Sequence, residues 1–494
     1  MQQPEICVME KKDTLRADPK FSNKINANRN GETLKFCYQC GTCTSACPIS
    51  KFIDIYKPNK ILQLCKLGIR NTPQSNAFLF CSACTLCTKN CPQGVKVHRV
   101  MEAMKEQAQD DAEVKAFLTK GFDETLEALG KEMPFPLVYT WICLRPSDAN
   151  ENNAFDEDLK KALDRALNRP RSQGTPQNEN AKKVAIIGSG PAGLTAAWEL
   201  AKAGYKVTVF ETLPEPGGML RTGIPGYRLP KDVLASEIDG IKALGVDIRT
   251  NSIVDGNLFE SLIEGNEYAS VFIASGAHKS SKLGLDGETC NGVVPAIEFL
   301  KEYNMTGVNV SGKKVIVLGG GNVAIDAACS AKRSGAKSVQ IFYRRDRKAM
   351  PAHEWEIEDA ESSGVEINLF WAPKVILSDG NNITGVRFIR TKFVKDKDGK
   401  QSLAYNEKES LDVEVDILIP AIGQAPDISF LSKNVATVRN SIQINPYTIE
   451  TNLPGVFVAG DVVSESASLL EAIAGGKTAA KSIIRYLRDS GGAQ

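Results

Sequence analysis

Eight cysteines near the N-terminus stand in two groups of identical spacing, and thiols clustered in this way can form disulfides, bind metal or carry electrons. The first group lies in KFCYQCGTCTSACPIS and comprises Cys37, Cys40, Cys43 and Cys47. The second, in FCSACTLCTKNCPQG, comprises Cys81, Cys84, Cys87 and Cys91, each 44 residues after its counterpart. The chain opens on MQQPEICVMEKKD, which has no apolar signal segment, so we expect a cytoplasmic protein with reduced thiols. Metal binding is therefore the leading use of these cysteines.

The spacing C-x2-C-x2-C-x3-C-P favours iron over zinc. It is the ferredoxin run, in which the fourth cysteine of each motif serves the other of two [4Fe–4S] clusters. The expected ligand sets are therefore Cys37, Cys40 and Cys43 with Cys91, and Cys81, Cys84 and Cys87 with Cys47. Two structural zinc ions are the alternative, because zinc takes four ligands, commonly from separate C-x2-C pairs. The third cysteine, the following proline and the duplication favour clusters. We assign no role to the remaining cysteines Cys7, Cys65, Cys143, Cys290 and Cys329.

A glycine turn in KVAIIGSGPAGLTAAWELAKAGYKVTVFE predicts a first dinucleotide site. Gly188, Gly190 and Gly193 follow an apolar strand directly, which allows a tight turn and close approach of the backbone to a pyrophosphate. Glu211 ends the next strand, where a carboxylate can accept hydrogen bonds from a ribose. A glycine turn without a ligand is the alternative, and the combination of strand, helix, second strand and terminal acid disfavours it.

A second turn, in KVIVLGGGNVAIDAACSAKRSGAKSVQIFYRR, predicts a second site with a different preference. It contains Gly319, Gly321 and Ala324, and Arg344 and Arg345 occupy the place of the first unit's acid. A carboxylate would repel a 2′-phosphate, whereas guanidinium groups can pair with one, so this site favours NADP(H), with NAD(H) still open. Alternatively, these arginines form a solvated surface or pair with nearby acids.

The segment TNLPGVFVAGDVV indicates that the first site binds FAD, because Gly460 and Asp461 follow a short apolar strand and precede a helix. The second glycine turn lies between the first and this segment, so we expect one dinucleotide domain to be inserted in the other. The predicted domains are a two-cluster helical domain at 1–105, a helical connector at 106–180, an FAD domain at 181–285 and 425–494, and an NAD(P) domain at 286–424.

Composition excludes several classes of function. The 494 residues include 60 Lys and Arg against 59 Asp and Glu, a net charge of +1, and no basic tract indicates a nucleic-acid partner. No apolar run is long enough for membrane insertion. The three histidines, His98, His278 and His353, are far apart in sequence and do not indicate a histidine-based hydrolase.

Residues 180–494 resemble the two-dinucleotide flavoproteins typified by the glutamate synthase small subunit, which include the large subunit of NADH-dependent ferredoxin:NADP oxidoreductase. The resemblance rests on the glycine turns and on PGGMLRTGIPGYRLPK, IASGAHKSSKLGLDGE, YRRDRKAMPA, PAIGQAPD and GVFVAGDVV. It implies FAD contacts from Gly188, Gly190, Ala192, Gly193, Glu211, Gly218, Leu220, Arg228, Val254, Gly460, Asp461, Ser468 and Leu469. It implies NADP contacts from Gly319, Gly321, Asn322, Val323, Ala324, Arg344, Arg345, Lys348, Ala421 and Gly423. Ordinary turn or core packing is the alternative for Gly218, Leu220, Val254 and Leu469.

The N-terminal part departs from that family. Residues 30–105 are similar instead to the C subunit of heterodisulfide reductase, a two-cluster electron carrier. Residues 134–163 resemble part of the helical cluster domain of the flavoprotein family. They retain only Cys143, so no cluster ligand is expected there. The predicted fold is thus multidomain: a mainly α-helical, two-cluster ferredoxin-like domain followed by two α/β Rossmann-like domains, the NADP domain inserted in the FAD domain.

Together these features predict an iron–sulfur flavoprotein oxidoreductase subunit that exchanges electrons among NADP(H), FAD, two [4Fe–4S] clusters and another redox subunit or ferredoxin. Hydride transfer by stacking of nicotinamide on flavin requires no catalytic side chain. The complex could perform electron bifurcation. The alternatives are a self-sufficient NAD(P)H:ferredoxin-type reductase, an electron donor like the glutamate synthase small subunit, and a non-catalytic subunit with decayed sites. The intact glycines disfavour the last.

Overall fold

The computed structural model divides the chain into two compact units, Met1–Ser172 and Gln173–Gln494. It describes residues 17–51, 56–70, 72–82, 84–107, 114, 118, 122–144, 154–168, 181–395, 401–438, 441–463 and 468–489. The predicted domain boundary near residue 180 and Cys7 lie outside these ranges. No helix within these ranges is long and apolar enough to cross a membrane.

The described part of the first unit contains short helices joined by turns. They are α1 (Pro19–Ala27), α2 (Thr42–Ser45), α3 (Pro58–Leu67), α4 (Pro73–Asn76), α5 (Leu86–Lys89), α6 (Val97–Gln107), α7 (Phe122–Glu132), α8 (Pro136–Leu144) and α9 (Ala154–Leu167), with 3-10 turns at Glu32–Phe36, Ile49–Lys51 and Ala77–Phe80. Pro58 begins α3 and Gly68, in a left-handed conformation, ends it. This is the usual asymmetry of helix ends, since proline lacks the amide hydrogen that a first turn leaves unpaired.

The duplication of the cysteine motif extends to the backbone. The Cys37 amide donates to the Leu34 carbonyl at 3.1 Å, and the Cys81 amide donates to the Phe78 carbonyl at 3.1 Å. Each first cysteine therefore follows a 3-10 turn, and a four-residue helix, α2 or α5, carries the third cysteine of each motif.

The second unit alternates strands and helices. Its strands are β1 (Lys183–Ile187), β2 (Lys206–Phe210), β3 (Asp247–Arg249), β4 (Ser270–Ile273), β5 (Lys279–Ser280), β6 (Lys314–Leu318), β7 (Ser338–Tyr343), β8 (Glu366–Leu369), β9 (Trp371–Ser378), β10 (Ile383–Lys395), β11 (Gln401–Glu414), β12 (Ile417–Pro420), β13 (Gln424–Ala425), β14 (Thr437–Val438), β15 (Ser441–Ile442) and β16 (Val456–Val458). Its helices are α10 (Pro191–Lys202), α11 (Met219–Thr222), α12 (Lys231–Lys242), α13 (Gly256–Glu264), α14 (Ala296–Met305), α15 (Asn322–Arg333), α16 (Glu354–Ser362) and α17 (Leu469–Asp489).

Two parallel sheets of the Rossmann type organise this unit. The first has the order β16-β4-β1-β2-β3 and the second β12-β6-β7-β8. The strands of the second sheet all lie between β4 and β16 in the sequence. Strand β1 of the first sheet and strand β6 of the second are mostly apolar, and their residues after the first lysine are buried on both faces, as expected where helices cover a parallel sheet.

An antiparallel sheet, β11-β10-β9, packs beside the second parallel sheet. Phe388 on β10 stacks on Phe342 on β7 with ring centroids 3.9 Å apart, and both rings are buried. The Thr391 hydroxyl, on β10, donates to the Arg344 carbonyl at 2.7 Å, so this sheet also contacts the backbone that follows β7.

Candidate functional site

A cavity of about 760 Å³ opens at the carboxyl ends of β1, β2, β4 and β16. Ligands of parallel sheets bind at this edge, and the volume suits a dinucleotide. Eleven of the predicted FAD residues line it: Gly188, Gly190, Ala192, Glu211, Gly218, Leu220, Val254, Gly460, Asp461, Ser468 and Leu469. Gly193 and Arg228 are not among its walls.

The first glycine turn leaves space where a phosphate group would require it. Gly188 has φ +101°, and a Cβ there would lie 2.4 Å from the Ala274 carbonyl oxygen, so only glycine fits. A Cβ on Gly190 would meet no atom within 4 Å, so the backbone faces open cavity there. The twelve-residue helix α10 begins at Pro191, and its unpaired amides point towards this space.

Glu211 is fixed beside that turn. Its carboxylate accepts hydrogen bonds from the Ser189 amide at 3.0 Å and the Leu213 amide at 2.8 Å, and also from the Ser189 hydroxyl. The residue is buried. Three donors therefore hold the carboxylate in one orientation at the cavity wall, as a ribose-binding acid requires.

His278 was missed by the sequence analysis, although it lines the same cavity. Burial lowers the pKa of this imidazole, while the Glu211 carboxylate opposes the shift. Its position shortly after β4, at the carboxyl edge of a parallel sheet, was the signal that could have identified it.

Arg228, a predicted FAD residue, lies in an ion-pair cluster instead. Its Nε is 2.6 Å from Asp326 Oδ1, and its Nη1 pairs with Glu356. Its guanidinium also lies over the Trp355 ring, 5.1 Å from the centroid. Contact between Arg228 and FAD stays a prediction, and any such contact would compete with these carboxylates.

The second glycine turn repeats the geometry of the first. Gly319 has φ +146°, and a Cβ there would lie 2.4 Å from the carbonyl oxygen of Ala421. Helix α15 begins at Asn322, and Gly321 faces open space. Of the predicted NADP residues at this turn, Asn322 is exposed, Val323 is half-buried and Ala324 is buried. Gly423 follows shortly after Ala421 on the loop that leaves β12.

The basic residues after β7 differ in their partners. Arg347 forms a two-pronged pair with Glu361, at 2.6 and 2.9 Å, and its Nε contacts Glu354 at 2.7 Å. Arg344 and Arg345 are exposed, and within the described ranges their side chains form no ion pair. Lys348 is exposed as well. Of the arginines in this run, those two are therefore the ones available to an anionic ligand.

The first three cysteines of motif one gather with the last cysteine of motif two. Cys37, Cys40, Cys43 and Cys91 line one small pocket. Burial, and then the proximity of the other three thiols, raises the pKa of Cys43 to about 11. Iron binding there must displace protons, since only the thiolate is a ligand.

The remaining four cysteines form the complementary group. Burial, followed by the neighbouring thiols of Cys81, Cys47 and Cys84, raises the pKa of Cys87. Burial also raises the pKa of Cys47 to about 11, and Cys81 contributes. The two groups differ in exposure, because Cys40 is exposed and Cys37 half-buried, whereas Cys81, Cys87 and Cys47 are buried.

Two family models match this chain. Residues 182–477 match the family described as pyridine nucleotide-disulphide oxidoreductase, and residues 36–96 match the 4Fe-4S dicluster domain. The NADP(+)-dependent formate dehydrogenase subunit beta of Moorella thermoacetica is 37% identical over 81% of this chain, which spans 60% of that protein. The glutamate synthase [NADPH] small chain of Azospirillum brasilense is 34% identical over 66% of this chain and 70% of its own length.

A solved structure supports the fold alone. FprA of Mycobacterium tuberculosis, in complex with NADPH, aligns with a TM-score of 0.53 and 18% identity, over 63% of this chain and 85% of that one. FAD is the cofactor that the matched family implies for the cavity, and the dicluster domain implies two [4Fe–4S] clusters. The predicted resemblance and cofactors are thereby confirmed. The chain belongs to the pyridine nucleotide-disulphide oxidoreductase family and carries a 4Fe-4S dicluster domain towards its N-terminus.

Proposed function

We propose that this chain is an electron-transfer subunit that exchanges electrons between NADP(H) and a separate redox protein. The observation that carries the proposal is the combination, in one chain, of a dinucleotide cavity, a second glycine turn with two exposed arginines, and two groups of four cysteines. When bound, FAD accepts hydride from a nicotinamide and releases electrons singly, as one-electron clusters require.

The first sheet and its cavity form the FAD domain in this proposal, with the bounds 181–285 and 425–494. The amides at the start of α10 hold the pyrophosphate, and Glu211 holds the ribose. Asp461 and the start of α17 close the opposite wall. The inserted strands at 286–424 form the NADP domain, in which Arg344 and Arg345 pair with the 2′-phosphate. The support is the topology of the two sheets and the open space at Gly190 and Gly321.

In the same proposal, Cys37, Cys40, Cys43 and Cys91 hold one [4Fe–4S] cluster, and Cys81, Cys84, Cys87 and Cys47 hold the other. The grouping of the thiols supports it. The four ligands of a zinc ion converge on one atom, whereas in a cubane each thiolate binds its own iron, so metal analysis distinguishes the two.

The proposed partner is another subunit of a redox complex. The Moorella relative is named as a subunit and the Azospirillum relative as a small chain. Because this chain spans only 60% of the Moorella protein, that protein's substrate is not carried over.

Anaerobic addition of NADPH to the isolated full chain tests the core of this function. We expect bleaching of the flavin absorbance, followed by the electron paramagnetic resonance signals of reduced clusters. An unchanged flavin spectrum would refute the proposed function. Size-exclusion chromatography of native extract tests the partner. Migration with other subunits supports the complex. Migration as a single chain, together with reduction of ferredoxin at full rate, supports a self-sufficient reductase.

A further inference from the structure

Each cysteine motif, with the 3-10 turn before it and the helix after it, forms a module: Glu32–Leu67 is the first and Ala77–Gln107 the second. In both modules a lysine of the helix donates to the carbonyl of the first cysteine. Lys66 Nζ, on α3, donates to the Cys37 carbonyl at 3.2 Å. Lys105 Nζ, on α6, donates to the Cys81 carbonyl at 2.9 Å. The modules therefore present equivalent faces around their first cysteine.

The chain itself covers that face in the second module. Phe80 is 0% exposed and stacks on Phe122 of α7 with centroids 6.5 Å apart. The Tyr139 hydroxyl, on α8, donates to the Phe80 carbonyl at 2.5 Å, and Lys105 Nζ also reaches the Cys143 carbonyl at 2.7 Å. Helices α7 and α8 thus cover Phe80, and Cys81, the next residue, is buried.

The equivalent side chains of the first module are exposed. Phe36, the counterpart of Phe80, is 50% exposed, and Tyr38 at the rim of the cysteine pocket is 75% exposed. Leu67, which follows the anchoring lysine, is 53% exposed. In the described part of the first unit these are the large apolar side chains that water reaches, and Tyr38 lines the same pocket as the exposed Cys40. Apolar side chains concentrated in this way are typical of an interaction surface.

The charged side chains of this surface are the lysines Lys35 and Lys66. Residues 17–107, which contain both cysteine motifs, hold thirteen Lys and Arg against five Asp and Glu, a net charge of +8, whereas the rest of the first unit holds twelve Lys and Arg against sixteen Asp and Glu. Two clusters with their eight thiolates would leave about +4. Lys35 Nζ lies over the Phe36 ring, 5.2 Å from its centroid, and Lys66 Nζ contacts the Cys37 carbonyl. Carboxylates on a docking partner would complement Lys35 and Lys66.

We propose that this surface, which we call the Tyr38 face and define as Lys35, Phe36, Tyr38, Lys66 and Leu67, docks an acidic one-electron redox protein. The partner presents an apolar patch ringed by carboxylates and exchanges electrons at the cysteine group that includes Cys40. This rests on the proposed function. Two one-electron transfers from the reduced partner, which is oxidised twice, together with one proton convert one NADP⁺ to NADPH, and the reverse reaction oxidises NADPH.

Binding of an oxidised, acidic [2Fe–2S] ferredoxin to the full-length holoprotein tests this docking without turnover. Isothermal titration should show binding at about 50 mM salt that is weakened by at least roughly tenfold at about 500 mM, because salt screens the attraction. Tyr38→Glu and Lys35→Glu should each weaken it by about tenfold or more, since one loses an aromatic anchor and both add repulsion. The matched control is Tyr447→Glu, at a tyrosine of the second unit that is 90% exposed, and it should change affinity less than about twofold.

Several results would overturn the proposal. These are no binding to the wild-type chain, equal effects of Tyr38→Glu and Tyr447→Glu, equal binding of anionic phospholipid vesicles, and a wild-type dimer that Tyr38→Glu converts to monomers. Slower reduction of the clusters by NADPH in Tyr38→Glu would also do so, since the face would then serve transfer within the chain. Failure of NADPH to bleach the flavin would refute the proposed function and leave the binding result readable.

Discussion

Arg228 and the buried Asp326 form an ion pair in which Nε and Oδ1 are 2.6 Å apart. Glu356 provides a second carboxylate to the same guanidinium. Burial raises the pKa of Asp326 to about 7, and the charge of Arg228 opposes that shift. The arginine therefore ties the segment before α12 to α15 and α16, and its charge is already engaged by two acids.

Replacement of Arg228 distinguishes this role from the FAD contact that the sequence predicts. Arg228→Met would remove the guanidinium that pairs with two buried carboxylates, so we expect a loss of about 3–5 kcal/mol in the free energy of unfolding, measured with urea. The flavin content of the protein that remains folded should not change. A variant of normal stability that loses FAD would favour the sequence-based assignment instead.

The arginines after β7 provide a matched pair of variants for cofactor preference. Arg344→Ala removes an exposed guanidinium without an acidic partner, and should weaken NADPH binding by about 1.5–3 kcal/mol, or roughly tenfold to a hundredfold, with little effect on NADH. Arg347→Ala is the control, because Glu354 and Glu361 already engage that side chain. Titration of the flavoprotein with each nucleotide measures both. An equal effect of Arg344→Ala on NADPH and NADH would contradict the assignment.

Acidic pH should destabilise the second unit through His278. Burial lowers the pKa of His278 in the folded chain below its ordinary value of 6.5, with Glu211 opposing and Lys301 reinforcing the shift. The unfolded chain therefore binds the proton first, and stability falls as pH decreases through 6.5. Urea unfolding, followed by flavin release, should be measured for wild type and His278→Gln at several pH values. The urea midpoint of wild type minus that of the variant should become smaller between about pH 7.5 and about pH 5.5. A constant difference would show that His278 does not titrate differently on folding.

Paired cysteine variants test which thiols share a cluster. If Cys91 completes the group of Cys37, the double variant Cys37→Ser/Cys91→Ser should lose no more iron than either single variant, about four atoms per chain. Cys37→Ser/Cys47→Ser should lose all the iron, because it damages both groups. The opposite outcome, full loss in the first double variant and half loss in the second, would show that each motif holds its own cluster.

The local motifs were predictable from the sequence because the residues that bind the metal or form the turn lie within a few positions of one another. The cysteine runs and the turn that begins at Gly188 need few residues outside themselves, and the matched families agree with them. The partner of Arg228 was not predictable, since Asp326 and Glu356 lie far along the chain and no periodicity relates them. The cover that Phe122 and Tyr139 place over Phe80 was hidden for the same reason. The exposure of Phe36 became informative only when its counterpart Phe80 was seen to be buried by these contacts.

Cofactor analysis of the anaerobically purified full chain tests the central claim most directly. Iron, acid-labile sulfide, zinc and flavin should be measured on one sample. Two [4Fe–4S] clusters and one flavin site predict about eight irons, about eight sulfides and one FAD per chain, without zinc. About two zinc ions per chain in place of iron, or a chain that retains no flavin when FAD is supplied, would contradict the account.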